Sequence, residues 1–545
     1  MRTDADQTNP GGNPTVTPMQ KGVSQSKKPS SLVANLAVRE RYRDEYWRKH
    51  DPISNDRLLW RAQAFRHTVH LLPGQSILEL GCGELRLTHA LMRVSRGENP
   101  ITAVTFQATS HQLAPLGAVV EVLQVCDLPG SLAGRKFDCA VAMDLLDRET
   151  SSELLEIVYE LLGPGGEMVF YESNPWNPVH KIRSALRRLS GNRDPRNLID
   201  RPRLYELLSE IGFVRIYAVF NDFVFAPLTR PLIWFLRNLS ILLENAPVLR
   251  RMAGSILLHA QKPPRHKDRP KVSLFAHASL RSAVSVVIPC HNEETNIAPL
   301  IEGLIGLYSE YIYEIIPVND GSTDRTGDVM VALAIKDARI KPLHRTPPNG
   351  VGRAIAEGLG AASGSYVLMM DCDFQHLLPE LRDLFDAAAE DYDVVIGSRF
   401  SRHSVLLNYP FTKILANRAF HTLAVLLFRR RIRDVTNNLK IMRSEVVKDL
   451  RLHQPGFAVN AETGLQPILL GYRVKQVPIS WINRTPGMGA SSFRLVQVGG
   501  GYWAVLGGLW LKYAFGRGPY RDLARQHAPS ANALKHIAPD AARAP

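Results

Sequence analysis

Short apolar runs, each closing on glycines, amides or acids, recur along the chain and set its pattern of elements. A continuous apolar run of four to eight residues bounded by turn residues fits a strand buried on both faces. Residues 76–80 form the first such run and enter Gly81-Cys82-Gly83, after which a helical pattern continues through Met92. Further strands are expected at 101–105, 140–142 and 167–171, the last behind the turn Gly163-Pro164-Gly165-Gly166. A helix over 202–211, a strand over 214–220 and a terminal strand over 255–259 complete a first α/β domain spanning residues 36–262. An apolar stretch, 227–252, broken by Arg230, Arg237 and Glu244, is inserted between its last two strands. Residues 263–282 are basic and proline-bearing and read as a linker.

A second set of strands follows. Residues 286–288 run into Pro289-Cys290-His291-Asn292-Glu293, and 315–318 end at Asn319-Asp320-Gly321-Ser322-Thr323-Asp324. Residues 365–370 end at Asp371-Cys372-Asp373. Three strands that each deliver an acid or amide to one edge are how an open α/β sheet builds a nucleotide site. Two carboxylates one residue apart at a strand end can share a hard divalent cation with a diphosphate. A fourth strand, 394–397, ends beside Arg399, and this second domain runs over 283–516. Residues 1–35 and the tail 517–545 are polar and are expected to be disordered.

Length and charge narrow the function. At 545 residues the chain needs two or three cores. Its net charge of +14 suits nucleic acid, an anionic membrane surface or phosphorylated substrates. No aromatic-interleaved basic stripe or nucleic-acid-binding motif is present, so no nucleic acid partner is expected. Five cysteines (82, 126, 139, 290 and 372) contain no CxxC pair, in keeping with a reducing cytoplasm. The N-terminus is polar and shows no signal peptide. Residues 495–511 lack charge but hold Gln497 and five glycines, against the roughly 20 mostly apolar residues a span needs. Residues 411–428 carry an apolar face ahead of Arg429-Arg430-Arg431, which suits either an anionic bilayer surface or a core helix capped by arginines. The expected location is cytoplasmic, peripheral on the inner face of the membrane.

The motifs are Val-Ile-Pro-Cys-His-Asn-Glu-Glu (287–294), Asn-Asp-Gly-Ser-Thr-Asp (319–324), Asp-Cys-Asp-Phe-Gln-His (371–376) and Gly-Ser-Arg-Phe (397–400). Glu462, Val-Pro-Ile (477–479), Arg484 and Gly489-Ala-Ser491 follow in order. Together they resemble the family 2 glycosyltransferases, above all the branch that makes polyprenyl-phosphate sugars. The resemblance implies a GT-A type nucleotide-sugar-binding domain. Its reaction would be inverting, metal-dependent transfer of a hexose from a nucleotide sugar to polyprenyl phosphate. It assigns Pro289, Asn292, Glu293 and Asp320 to the base and ribose. It makes Asp371, Asp373 and Gln375 ligands of Mg²⁺ or Mn²⁺, and Arg399, Arg484 and Lys413 phosphate cations. Asp373, Arg399 and Glu462 form the implied catalytic set. The chain departs from the branch at Asn319, at Ser492 where Lys is common, and over 434–439, where the branch has a Ser-Gly-Phe segment.

A hydroxyl acceptor needs a carboxylate base beside it, whereas a lipid phosphate, with its second pKa about 6, is already largely anionic. Relatives that use hydroxyls carry a pair of acids late in the domain, while Ala461-Glu462-Thr463 offers one. The phosphate acceptor is therefore expected, with a saccharide or protein hydroxyl as the alternative.

In the first domain, Leu78-Glu79-Leu80-Gly81-Cys82-Gly83, Phe137-Asp138 and the segment 161–166 resemble class I S-adenosylmethionine-dependent methyltransferases. That implies a Rossmann-like domain whose Glu79, Gly81, Gly83 and Asp127 hold S-adenosylmethionine. Leu85 stands where the family has a third glycine, and Thr105 where an acid holds the ribose hydroxyls. A scaffold and an active methyltransferase, which would make the chain bifunctional, both stay open; the two departures predict weak cofactor binding.

Overall fold

Strands β1 (Ile77–Leu80), β2 (Ile101–Thr105), β3 (Val120–Gln124), β4 (Phe137–Met143), β5 (Leu162–Ser173), β6 (Val214–Asn221) and β7 (Ser255–Gln261) form one sheet, ordered β3-β2-β1-β4-β5-β7-β6. The structure is a computed structural model and describes residues 30–48, 53–107, 119–189, 197–223, 239–264, 272–401, 403–407, 409–482 and 495–515. The neighbouring pairs from β3 through β5 are parallel, and β7 runs antiparallel between β5 and β6. Alternate residues feed two apolar layers. Leu78, Leu80, Val104, Ala140 and Phe170 face one, and Ile77, Ala103, Val141 and Tyr171 face the other. Period-two alternation with both faces apolar is what a sheet covered on both sides requires. The strand order reverses between β1 and β4, so a crevice opens at their carboxyl ends.

Two sequence expectations need correction here, and one strand carries no signal in the sequence. The first helix starts at Ser31, inside the segment expected to be disordered, because Leu32, Val33 and Leu36 are buried in the domain core. Strand β3 carries no clear apolar run, since it is a half-exposed edge. Strand β5 begins at Leu162, with the expected turn absorbed into the strand and Gly165 at φ +71°. That angle is readily reached only by glycine.

The second sheet contains β8 (Val284–Cys290), β9 (Ile312–Asn319), β10 (Leu343–His344), β11 (Tyr366–Met369), β12 (Val394–Ser398), β14 (Lys440–Arg443) and β15 (Val474–Pro478). Its order is β10-β9-β8-β11-β14-β12-β15, with β14 antiparallel to both neighbours. β13 (Val405–Leu407) and β16 (Ser480–Ile482) make a separate parallel pair. Val286, Ile288, Leu368 and Met370 pack on one side of the main sheet, and Val287, Val367 and Met369 on the other. Leu274 and Leu280 join this core, so part of the expected linker belongs to the second domain.

The domains meet along the helix Ile53–Thr68. Val405 and Leu407 of β13 share a cluster with Trp47, Leu58 and Phe65. Arg66 and Arg96 grip Asp383, at 3.0 and 2.5 Å, and Arg382 grips Glu98 at 2.5 Å. His67 Nδ1 lies 2.8 Å from Glu380 Oε1 with both side chains buried, and Glu380 accepts from Ser480 N at 2.7 Å. Glu380 ends the short 3₁₀ helix, Phe374–Glu380, that follows Asp373. The first domain thus holds the segment that leaves the aspartate pair.

Candidate active site

Strands β8, β9 and β11 are mutually parallel, so their carboxyl ends reach one edge of the sheet together. The loops after β8 and β9 are laced into one unit. Asn292 takes a left-handed φ of +57°, which short polar side chains tolerate best. Its N–H donates to Ser322 Oγ at 3.0 Å, and its Oδ1 accepts from Thr323 N at 2.8 Å. Glu293 N donates to Thr326 Oγ1 at 2.8 Å, and Glu293 Oε2 accepts from Asn296. Pro289 lies opposite Val318 in the register. Asp320 is buried, pairs with Arg345 and accepts from Gly350 N at 2.7 Å. Arg345, which no sequence motif marks, also bonds Glu357 at 2.6 Å.

The aspartate pair ends β11. Burial, and then the charge of Asp373, push the Asp371 carboxyl up to about 7. Two carboxylates so placed lower each other's tendency to ionise, and a dication between them would reverse that. Asn438 steadies the pair by donating Nδ2 to Asp371 Oδ1 at 2.8 Å. Cys372, between the two acids, is buried in the core. Among the described residues no group of three or more His, Cys, Asp or Glu is placed to hold a metal. The side chain of Gln375, the third expected ligand, lies outside the described residues, as do Arg484, Gly489, Ser491 and Ser492.

Arg399 is buried rather than free in the site. Its Nε and Nη2 bond Asp434 Oδ2 and Oδ1 at 2.8 and 2.9 Å, while Nη1 reaches Tyr409 Oη at 3.1 Å and Nη2 reaches Thr436 Oγ1 at 3.0 Å. Burial alone would raise the Asp434 carboxyl, but the Arg399 guanidinium holds it well below the usual range. Lys440, fully buried on β14, bonds the carbonyls of Asn437 and Asn460, and burial lowers its ammonium to about 7. Lys413 is half-buried on the helix Phe411–Phe428.

Glu462 does not stand open toward an acceptor. Its carboxylate accepts from the backbone N–H of His453 and Gln454 at 3.0 and 3.1 Å. Burial raises its carboxyl, and those two bonds oppose the rise. The loop it holds reaches the start of the helix Val351–Ala361, where Gly352 N bonds Pro455 O at 2.9 Å. A Cβ at Gly352 would collide with Gln454 O. Glu462 thus shapes the wall beside Asp320 through the backbone.

His421 gives a pH signature. Its Nδ1 bonds Asn417 O at 2.7 Å and its Nε2 accepts from Val435 N at 2.9 Å, which requires a neutral ring. Burial lowers its pKa to about 4. The unfolded ring, near 6.5, binds its proton first as pH falls, so stability declines between about pH 6.5 and 4. His421→Gln is expected to remove about 1–3 kcal/mol of that decline, read by urea titration at the two pH values.

In the first domain, Gly81 and Gly83 carry φ of +66° and +50° at the switch-point crevice, and Leu85 follows at +60°. The Leu85 side chain packs in a core cluster with Trp47 and Leu91. Glu79 is buried below the glycine turn, and burial raises its carboxyl to about 7. Asp127 is exposed at the start of the short helix Leu128–Ser131. Thr105 is buried at the end of β2. The helix Ser31–Arg48 fills the crevice. Glu40 accepts from Gly83 N at 2.7 Å, Phe106 N at 2.9 Å and Gln107 N at 3.1 Å. A Cβ at Gly83 would collide with the Asp44 carboxylate, and Gln107 Nε2 donates to Asp44 at 3.1 Å. The backbone N–H groups that a nucleoside cofactor would use are therefore taken by an internal acid.

An open mixed sheet gathering three acid-bearing strand ends defines a nucleotide-binding α/β domain. The model of the family "Glycosyl transferase family 2" matches residues 285–451. Polyprenol monophosphomannose synthase of Mycolicibacterium smegmatis is 31% identical over 234 residues, covering 41% of this chain and 88% of that protein. Dolichol-phosphate mannosyltransferase of Pyrococcus furiosus is 32% identical over 181 residues, covering 33% of this chain and 51% of that protein. The chain belongs to glycosyl transferase family 2 through its second domain. A crystal structure of glucosyl-3-phosphoglycerate synthase from Mycobacterium tuberculosis aligns with 45% of this chain and 85% of its own, at 19% identity and a TM-score of 0.34.

Proposed function

We propose that the second domain transfers a hexose from a nucleotide sugar to polyprenyl phosphate, with inversion and with a divalent metal at Asp371 and Asp373. The relatives named for polyprenol- and dolichol-phosphate mannose synthesis support this class of acceptor. The observation that carries it is the engagement of Glu462. The late-domain acid best placed by sequence to serve as a base is spent on two backbone N–H groups. A hydroxyl acceptor would leave its proton without a recipient there, whereas a phosphate brings its own negative charge. A metal between the aspartates would supply electrostatic stabilisation to the departing nucleoside diphosphate. Pro289, Asn292, Glu293 and Asp320 would form the base and ribose side, with Gln375, Lys413 and Arg484 as further contacts. Arg399 would act by fixing the loop that bears Asn438. Incubation with a panel of nucleotide sugars and polyprenyl phosphate should yield a lipid-linked sugar. No lipid-linked product with any donor would reject the reading.

Action at a membrane surface fits this acceptor. No described helix is long and apolar enough to cross a bilayer. The helices Phe411–Phe428 and Leu495–Ala514 pack together through Phe420 and Trp503, and leave Leu415, Leu426, Leu511 and Phe515 exposed. With Arg429, Arg430 and Arg431 at one end, this face suits an anionic interface on the inner side of a membrane.

For the first domain we favour a methyltransferase-like frame kept as a scaffold. Glu40 and Asp44 occupy the place of the cofactor, and the residues present do not fit S-adenosylmethionine. Its dissociation constant is expected to exceed about 100 μM by calorimetry. A low-micromolar value would restore the bifunctional reading.

A further inference from the structure

Among the described residues, the first domain carries an apolar surface that no other part of its fold covers. Trp176, Ile182, Leu189 and Val248 are 58%, 60%, 85% and 75% exposed. Ile182, Leu186 and Leu189 fall at i, i+4 and i+7 of the helix Pro178–Leu189, which is one stripe. Beside it lies the short turn Leu249–Met252, with Leu249 and Met252 also exposed.

Two fully buried asparagines lock these pieces together. Asn174 Nδ2 donates to the carbonyls of Arg251 and Ala253 at 2.9 and 2.8 Å, and Asn177 Nδ2 donates to Met252 O at 2.6 Å. Trp176 N–H is in turn held by Asn174 Oδ1 at 3.1 Å. The surface is therefore a fixed platform and not a chance display of loop side chains.

Its charge says what covers it. The helix contains His180, Lys181, Arg183, Arg187 and Arg188 and no acid, and the turn contains Arg250 and Arg251 and no acid. Lys181 Nζ lies 4.7 Å from the centre of the Trp176 ring, pairing a cation with an interfacial aromatic. Cations interleaved with apolar side chains are poorly suited to the core of a protein interface, which is depleted in charge. Two copies of this face would oppose cation to cation across a two-fold axis. An anionic bilayer satisfies both features, taking the apolar stripe into the acyl boundary and the cations at its headgroups.

We propose that this platform docks the first domain onto an anionic lipid surface. The inference does not rest on the lipid acceptor, because the platform is on the other domain, and docking and turnover are read separately.

The test uses the full chain. Cys126 is the exposed one of the five free cysteines, so Cys126→Ser/Leu189→Cys can carry a polarity-sensitive fluorophore at position 189. With vesicles of mixed phosphatidylcholine and phosphatidylglycerol, its emission should shift to the blue. With phosphatidylcholine alone it should not, and added salt should reverse the shift. Adding Ile182→Glu/Arg250→Glu/Arg251→Glu should abolish it. In the unlabelled chain, Ile182→Glu/Leu189→Glu should weaken sedimentation with anionic vesicles about tenfold or more. The thermal melt should not change, because both positions are exposed. A silent label on protein that still sediments would assign all docking to the second domain and overturn the proposal. A blue shift without vesicles that grows with protein concentration would assign the face to a second copy, and would overturn it equally. Docking without lipid-linked product would instead count against the proposed transfer reaction alone.

Discussion

Asp373→Ala is expected to lower transfer at least about a thousandfold while leaving the melting temperature unchanged or slightly raised. The residue sits half-exposed where β11 gives way to the turn Phe374–Glu380, so its removal opens no core cavity. Its charge is one of the two main forces raising the Asp371 carboxyl, so in metal-free buffer the variant loses a repulsion. Activity and stability should move apart, which is the mark of a group placed for chemistry. Transfer assays at saturating Mg²⁺ or Mn²⁺, run beside a thermal melt, check this. Retained turnover would remove Asp373 from the metal site.

Asp434→Ala should have the largest effect on stability, a loss of about 3–5 kcal/mol in urea titration, because it strands a buried guanidinium. Arg399 gives Asp434 two side-chain bonds and one backbone bond, and Asp434 is fully buried. Arg399→Met/Asp434→Leu should recover most of the loss, since apolar replacement of a buried pair is often neutral. That double variant should still transfer poorly. The pair anchors the loop whose Asn438 holds Asp371, and the apolar substitutes cannot bond Thr436 or Tyr409. Full activity in the recovered variant would show that Arg399 serves neither phosphate nor loop.

The parts of this molecule that were legible in the sequence are those written in apolar runs. β2 matches its expected bounds, and β8, β9, β11 and β12 fall within a few residues of theirs, because strands buried on both faces need continuous apolar residues. The helix Phe411–Phe428 also stands where its pattern placed it. The acids at the three strand ends were visible because each follows such a run directly. What stayed hidden depends on partners far along the chain. Arg345 finds Asp320, Asp434 finds Arg399, and Glu40 finds the N–H groups of Gly83 and Phe106. A carboxylate that binds backbone N–H leaves no residue-type signature at its target, so Glu40 and Glu462 could not be read that way. Asp434 did leave a trace, in the segment 434–439 that departs from the branch. The clamp of Arg66, His67 and Arg96 on Glu380 and Asp383 was hidden because it joins two domains through ordinary surface residue types.

Two features of the chain converge on one picture. The first domain fills its own crevice with Glu40 and Asp44, yet it grips the segment that leaves the aspartate pair. On the scaffold reading proposed above, that grip is how the first domain would serve the transferase site.

A choice between acceptors separates a phosphate from a hydroxyl as the nucleophile. The purified chain, with its nucleotide sugar and a divalent metal, is offered a polyprenyl phosphate and the matching polyprenol in separate reactions. Sugar is expected on the phosphate only, because Glu462 is engaged by His453 and Gln454 and leaves an alcohol without a base. Sugar on the alcohol at a comparable rate would contradict that expectation.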